Sequence, residues 1–146
     1  MSELLDPATK TVLIVDDDES VLNLLEILVR RDGFKVDLAE NGDVALEKLK
    51  LNPDVLLLDL LLPGTTTGFE VLRRMKIFER PAPPTIIVTS YTGDPLVKKV
   101  QEDPSVVALL PKPVNQERLL STLHKVLNTK APERTKSGIQ AKEKKP

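Results

Sequence analysis

A chain of 146 residues with 40% apolar and 29% charged content can build one domain with a real core, and is too short for two of ordinary size. With no cysteine, disulfides, thiol catalysis and Cys-ligated zinc are excluded, and with 3% aromatic residues the core must be Leu, Val and Ile. Net charge is −1, but Lys130, Arg134, Lys136, Lys142, Lys144 and Lys145 crowd the last stretch against Glu133 and Glu143, so a mildly acidic body carries a basic end and makes a poor nucleic-acid binder.

In chain order, residues 1–9 read as a flexible N-terminus without an apolar stretch of signal-peptide length. No run reaches the ~18 apolar residues of a membrane span, so no membrane partner is expected and a cytoplasmic location is. Val12-Leu13-Ile14-Val15 is a short apolar run suited to a buried strand, Thr11 to Val15. Asp16, Asp17 and Asp18 follow it, the last suited to capping a helix from Glu19 to Arg31 with Val21, Leu22, Leu24, Leu25, Leu28 and Val29 on or beside its apolar face. Gly33 ends that helix. Lys35 to Ala39 alternates polar and apolar, as an edge strand does, and Asn41-Gly42 opens a helix from Asp43 to Lys50. A second apolar run, Val55 to Leu58, ends in Asp59. The remaining expectations are a helix Phe69 to Phe78, a strand Thr85 to Thr89, a helix Asp94 to Glu102, a strand Val106 to Leu110 and a helix Asn115 to Asn128.

Five βα units with short connections predict a doubly wound α/β fold, a flavodoxin-like (βα)5 parallel sheet of strand order 2-1-3-4-5. The two continuous apolar runs belong at its centre and Lys35 to Ala39 at its periphery. Asp16, Asp17, Asp59, Thr89 and Lys112 then all fall at carboxyl ends of strands, the edge where open α/β sheets bind ligands. Three carboxylates together repel unless a cation sits among them, and hard oxygen donors suit Mg²⁺ or Ca²⁺.

The spaced set Val12-Leu-Ile-Val-Asp-Asp-Asp, Asp59 with Pro63 four residues on, Thr89-Ser90 and Lys112-Pro113 resembles the receiver domain of bacterial two-component response regulators. The resemblance covers residues 10–128, leaving 129–146 as a basic flexible tail or linker, and implies either a stand-alone regulator or the receiver piece of a larger protein. It implies that Asp59 is the phosphoacceptor, supplied by a histidine kinase or phosphotransfer protein. It implies Mg²⁺ bound by Asp17 directly, by Asp16 largely through water, by Asp59 and by the backbone carbonyl of Leu61. Thr89 and Lys112 would then contact the phosphoryl group, Ser90 would leave access to it, and Lys112-Pro113 would be a cis peptide. A downstream protein or effector domain would read the change at the fourth helix, fifth strand and fifth helix, with a phosphorylation-dependent homodimer as one form of output. The domain would not be an enzyme beyond its own phosphorylation and autodephosphorylation. Two other readings stay open: a phosphorylation-independent interaction module, and an aspartyl-phosphate hydrolase, for which Leu61 stands where a second acid is expected.

Three departures bear on this. Pro63 and Gly68 enclose Gly64-Thr65-Thr66-Thr67, one residue more than the family usually has and without its acidic residue, which predicts an altered loop beside the acceptor. Leu109 stands where many members carry Tyr or Phe, which puts the aromatic part of the usual relay in doubt. Leu61 and Tyr91 are bulky at positions flanking the path of water to an acyl phosphate, which predicts slow dephosphorylation. His124, the one histidine, reads as a surface or boundary residue without a visible partner.

Overall fold

The computed structural model describes residues 3–78, 80–90 and 93–133. Five strands, β1 (Thr11–Val15), β2 (Lys35–Ala39), β3 (Val55–Leu58), β4 (Thr85–Thr89) and β5 (Val106–Pro111), form one sheet in the order β2-β1-β3-β4-β5. Every pairing is parallel. Crossover helices α1 (Glu19–Arg31), α2 (Gly42–Leu49), α3 (Gly68–Met75), α4 (Pro95–Gln101) and α5 (Gln116–Leu127) alternate with the strands. The expected topology is the observed one.

The two faces of the sheet build two cores. Val12, Ile14, Val55, Leu57, Ile86 and Val88 point to the face covered by α1 and α5, through Leu22, Leu25, Val29, Leu119 and Leu123. The alternate residues Leu13, Val15, Leu56, Leu58 and Ile87 meet Ala45 and Leu49 of α2, Val71, Leu72 and Met75 of α3, and Val97 and Val100 of α4. Burial on both faces is why β1 and β3 are unbroken apolar runs, and the edge position of β2 is why it alternates. Each helix begins on a side chain that accepts a backbone N–H: Asp18, Asn41, Thr67, Asp94 and Asn115.

Three details differ from expectation. α3 ends at Met75, three residues short of Phe78, because Lys76 and Ile77 pass into a turn ahead of the proline-rich stretch to Pro84. Leu24 and Ile27 of α1 are 51% and 59% exposed, so the buried stripe is the narrower set Leu22, Leu25, Leu28 and Val29. The stretch expected to be flexible, residues 1–9, is tied down over its described part. Pro7–Thr9 form a 3₁₀ turn capped by Asp6, and Leu5 bridges to Thr129 with its N–H on the Asn128 carbonyl and its carbonyl accepting from Lys130. Of the basic tail, residues 134–146 lie outside the described residues.

His124 corrects its expectation outright. It is 7% exposed, its Nε2 lies 2.9 Å from Asp32 Oδ2 and its Nδ1 lies 2.7 Å from Thr129 Oγ1. Phe34 packs on the ring at a centroid distance of 4.8 Å. Asp32 caps the end of α1 and Thr129 follows α5, so the partners come from 92 and 5 residues away. No local spacing announces the first of them.

Candidate phosphoacceptor site

β1 and β3 run side by side in register from Val12 opposite Val55 to Val15 opposite Leu58, so the residues that follow them, Asp16 and Asp59, emerge together. The backbone secures both: Asp16 N–H donates to the Ala39 carbonyl of the neighbouring strand and Asp59 N–H to that of Val15, each at 3.1 Å. Asp16 and Asp59 are 1% and 5% exposed, whereas Asp17, one residue on, is exposed. Ligand oxygens of Asp16, Asp17 and Asp59 all lie within 4.8 Å of one another.

From the other side, β4 ends in Thr89, fully buried, whose carbonyl accepts the Lys112 N–H at 3.1 Å. Lys112 leaves the end of β5 before a cis bond to Pro113. Its ammonium lies 2.6 Å from Asp16 Oδ2 and 2.9 Å from Asp59 Oδ2. The remaining oxygens are held locally: Asp16 Oδ1 accepts the Asp18 N–H at 2.9 Å and Asp59 Oδ1 accepts the Leu61 N–H at 3.1 Å. All five strand-end residues singled out in the sequence therefore share one edge. Lys112 spans Asp16 and Asp59 rather than serving Asp59 alone.

The electrostatics follow from this geometry. Burial pushes the Asp16 carboxyl above its ordinary value, and the Lys112 ammonium and the Asp18 N–H offset only part of that. Burial also works to lower Lys112, but hydrogen bonds to Asp16 and Asp59 outweigh it and hold the ammonium above the ordinary lysine range. Three carboxylates gather here and one ammonium pairs with two of them, Asp16 and Asp59, leaving negative charge over for a further cation. The all-oxygen donor set suits a hard divalent ion, with Asp17 the member open to solvent.

The loop that follows Asp59 turns at Gly64 with φ +83°, and Thr66, not an acidic residue, anchors it. Thr66 is 4% exposed and donates from Oγ1 to Asp43 Oδ1 at 2.7 Å. The next residue, Thr67, caps α3, its hydroxyl accepting the Glu70 N–H. Leu61 projects to 48% exposure beside the site; Tyr91 lies outside the described residues. Leu109 is partly buried against the α2–α4 side of the sheet. The Thr66–Asp43 contact was not foreseeable from spacing, although the threonine run marked the loop as unusual.

The family model for the response regulator receiver domain matches residues 12–124. The chain belongs to that family. It is a receiver domain of the two-component response regulators, a family of signalling modules that bind Mg²⁺ in an acidic pocket. Protein PilH of Pseudomonas aeruginosa is 39% identical over 120 residues, spanning 80% of this chain and 96% of PilH. The transcriptional regulatory protein CpxR of Escherichia coli is 31% identical over 80% of this chain and 48% of its own length. Among solved structures, the Vibrio cholerae chemotaxis protein CheY4 superposes with TM-score 0.70 at 32% identity, covering 81% of this chain and 98% of that one. This receiver domain also spans about a third of two larger relatives, 32% of the Bacillus subtilis transcriptional regulatory protein ResD and 31% of a Thermotoga maritima cyclic di-GMP phosphodiesterase.

Proposed function

We propose that this receiver domain is a phosphorylation-controlled switch whose phosphoacceptor is Asp59, with Asp16, Asp17, Asp59 and the Leu61 carbonyl holding Mg²⁺. The observation that carries the reading is the Lys112 ammonium bridging two buried carboxylates at the strand edge. Phosphoryl transfer depends on an aligned nucleophile and on neutralised charge more than on acid-base chemistry. Asp59 is oriented by two fixed partners, Lys112 on one oxygen and the Leu61 N–H on the other. Lys112 offers a compact positive charge to the carboxylate and, after transfer, to the phosphoryl oxygens. Mg²⁺ held by these oxygens would supply positive charge that screens the repulsion between the Asp59 carboxylate and the donor phosphoryl group. Thr89, at the end of the adjacent strand, supplies a hydroxyl to a phosphoryl oxygen.

The donor is a histidine kinase or phosphotransfer protein. The output is a shift in a two-state equilibrium read by a downstream protein, an effector domain or a second copy at the face of α4, β5 and α5. Exposed Leu96 on α4 and Val107 on β5, at 53% and 48%, support that face. The domain acts in the cytoplasm, where such kinases present phosphohistidine; among the described residues no helix is long and apolar enough to cross a membrane.

The test is incubation with acetyl phosphate and Mg²⁺ followed by intact mass. A single phosphate that accumulates on the wild type, and is absent from Asp59→Asn and from chelator-treated protein, is expected. No adduct would favour the phosphorylation-independent module. Steady release of phosphate without accumulation would favour the hydrolase.

A further inference from the structure

The loop leaving Asp59 is pinned at two places before it becomes α3. At the far end, Gly68 N–H donates to the Leu60 carbonyl at 3.0 Å, and a Cβ at Gly68 would collide with the Asp59 carbonyl and the Leu60 Cα. The first turn of α3 thus lies directly on the backbone of the acceptor. The second pin is Thr66. Its hydroxyl donates to Asp43 in the first turn of α2, and its carbonyl, Cβ and Cγ2 occupy the space a side chain at Gly42 would need. Gly42 and Asp43 therefore act as a paired seat, glycine making room for the loop and aspartate holding it. Between the pins run Leu61 to Thr65, and Leu61 is the residue whose N–H meets Asp59 Oδ1.

Asp43 is exposed and water would satisfy it equally well, so the bond has little to offer Asp43. Its consequence lies on the loop side. A buried hydroxyl bonded to a carboxylate is a stronger tether than one bonded to a neutral acceptor. We propose that Thr66 is a positioning residue for the phosphoacceptor site: clasped by Asp43, it holds the loop so that the Leu61 backbone keeps its place beside Asp59. This rests on the reading in which the Leu61 carbonyl is a Mg²⁺ ligand.

The experiment is a Mg²⁺ titration by calorimetry, with phosphorylation by acetyl phosphate followed across Mg²⁺ concentrations, on wild type, Thr66→Val, Thr66→Ser and Asp43→Ala. Thr66→Val keeps the methyl group against Gly42 and loses the hydroxyl; Thr66→Ser does the reverse. If the clasp positions the loop, Thr66→Val and Asp43→Ala weaken Mg²⁺ binding by about tenfold, the low end for groups that orient a ligand. Thr66→Ser then stays near wild type, and saturating Mg²⁺ restores the phosphorylation rate of the two weakened variants. A purely packing role for Thr66 reverses the order of the Val and Ser variants and overturns the proposal. Asp43→Ala, a surface change, reads the clasp even if Thr66→Val folds poorly; wild-type Mg²⁺ affinity in that variant also overturns it. A wild-type chain that binds Mg²⁺ but takes no phosphate sinks the acceptor reading and leaves the clasp to be judged on binding. A wild type that binds no Mg²⁺ sinks both.

Discussion

Single side chains here are defined by what they replace in one another's surroundings. Lys112 is the clearest case. Because its folded value is raised, the stability it contributes is fully present below the ordinary lysine value of 10.5 and is lost as pH rises through the raised one. The stability gap between wild type and Lys112→Met, measured by urea denaturation, should therefore be constant through neutral pH and narrow above 10.5. A gap that stays flat in strong alkali would mean that Lys112 packs there without pairing. His124 makes a second residue-scale case. Replacing it with Ala removes a hydrogen bond to the buried Asp32 carboxylate, the bond to Thr129 and the ring under Phe34. A loss of about 2–4 kcal/mol is expected, from a charged hydrogen bond at ~1.5–3 plus lost packing. Mg²⁺ binding should not change, because the cluster sits where the ends of α1 and α5 meet, remote from the strand edge that holds Asp59.

At the scale of elements, sequence periodicity carried most of the fold. β1 and β3 were legible because burial on both faces leaves no position for a polar residue, and α1 because an apolar face follows the capping side chain of Asp18. Boundaries failed where a turn competed with a helix, as at Lys76 and Ile77. Partners failed where they came from far along the chain: the Asp32–His124 pair and the Asp43–Thr66 clasp join separate helices and loops, and periodicity is silent on that. One such long-range contact gives an element-scale prediction. Lys76, just past α3, lies 2.6 Å from Asp103, just past α4. Burial tends to raise the Asp103 carboxyl, but hydrogen bonds from Lys76 and Ser105 outweigh it and hold it below its ordinary 3.8. Its contribution is present above 3.8 and disappears as pH falls through the lowered value. Lys76→Ala should cost about 1 kcal/mol or less at neutral pH, since Lys76 is half exposed. That cost should vanish in acid denaturation at the lowest pH values. Gly68→Ala should be worse, because its Cβ meets backbone, not a side chain that can swing away. Slowed phosphorylation together with a lowered melting temperature would be the signature.

For the molecule as a whole, the parallel sheet does one thing that no smaller unit can. It delivers carboxylates from β1 and β3, a hydroxyl from β4 and an ammonium from β5 to a single edge, from positions up to 96 residues apart in sequence. The helices beside that edge then link the acceptor loop to α2 through Thr66 and, on the proposed reading, the phosphorylated state to α4, β5 and α5. On that reading, everything downstream depends on phosphate residing on Asp59. The most direct test treats the acetyl-phosphate-labelled protein with borohydride, which reduces an aspartyl phosphate to homoserine, and maps the product by peptide mass. The account predicts reduction at Asp59 and at no other aspartate, Asp16 and Asp17 included. Reduction at another carboxylate, or none in a protein that carries phosphate, would contradict it.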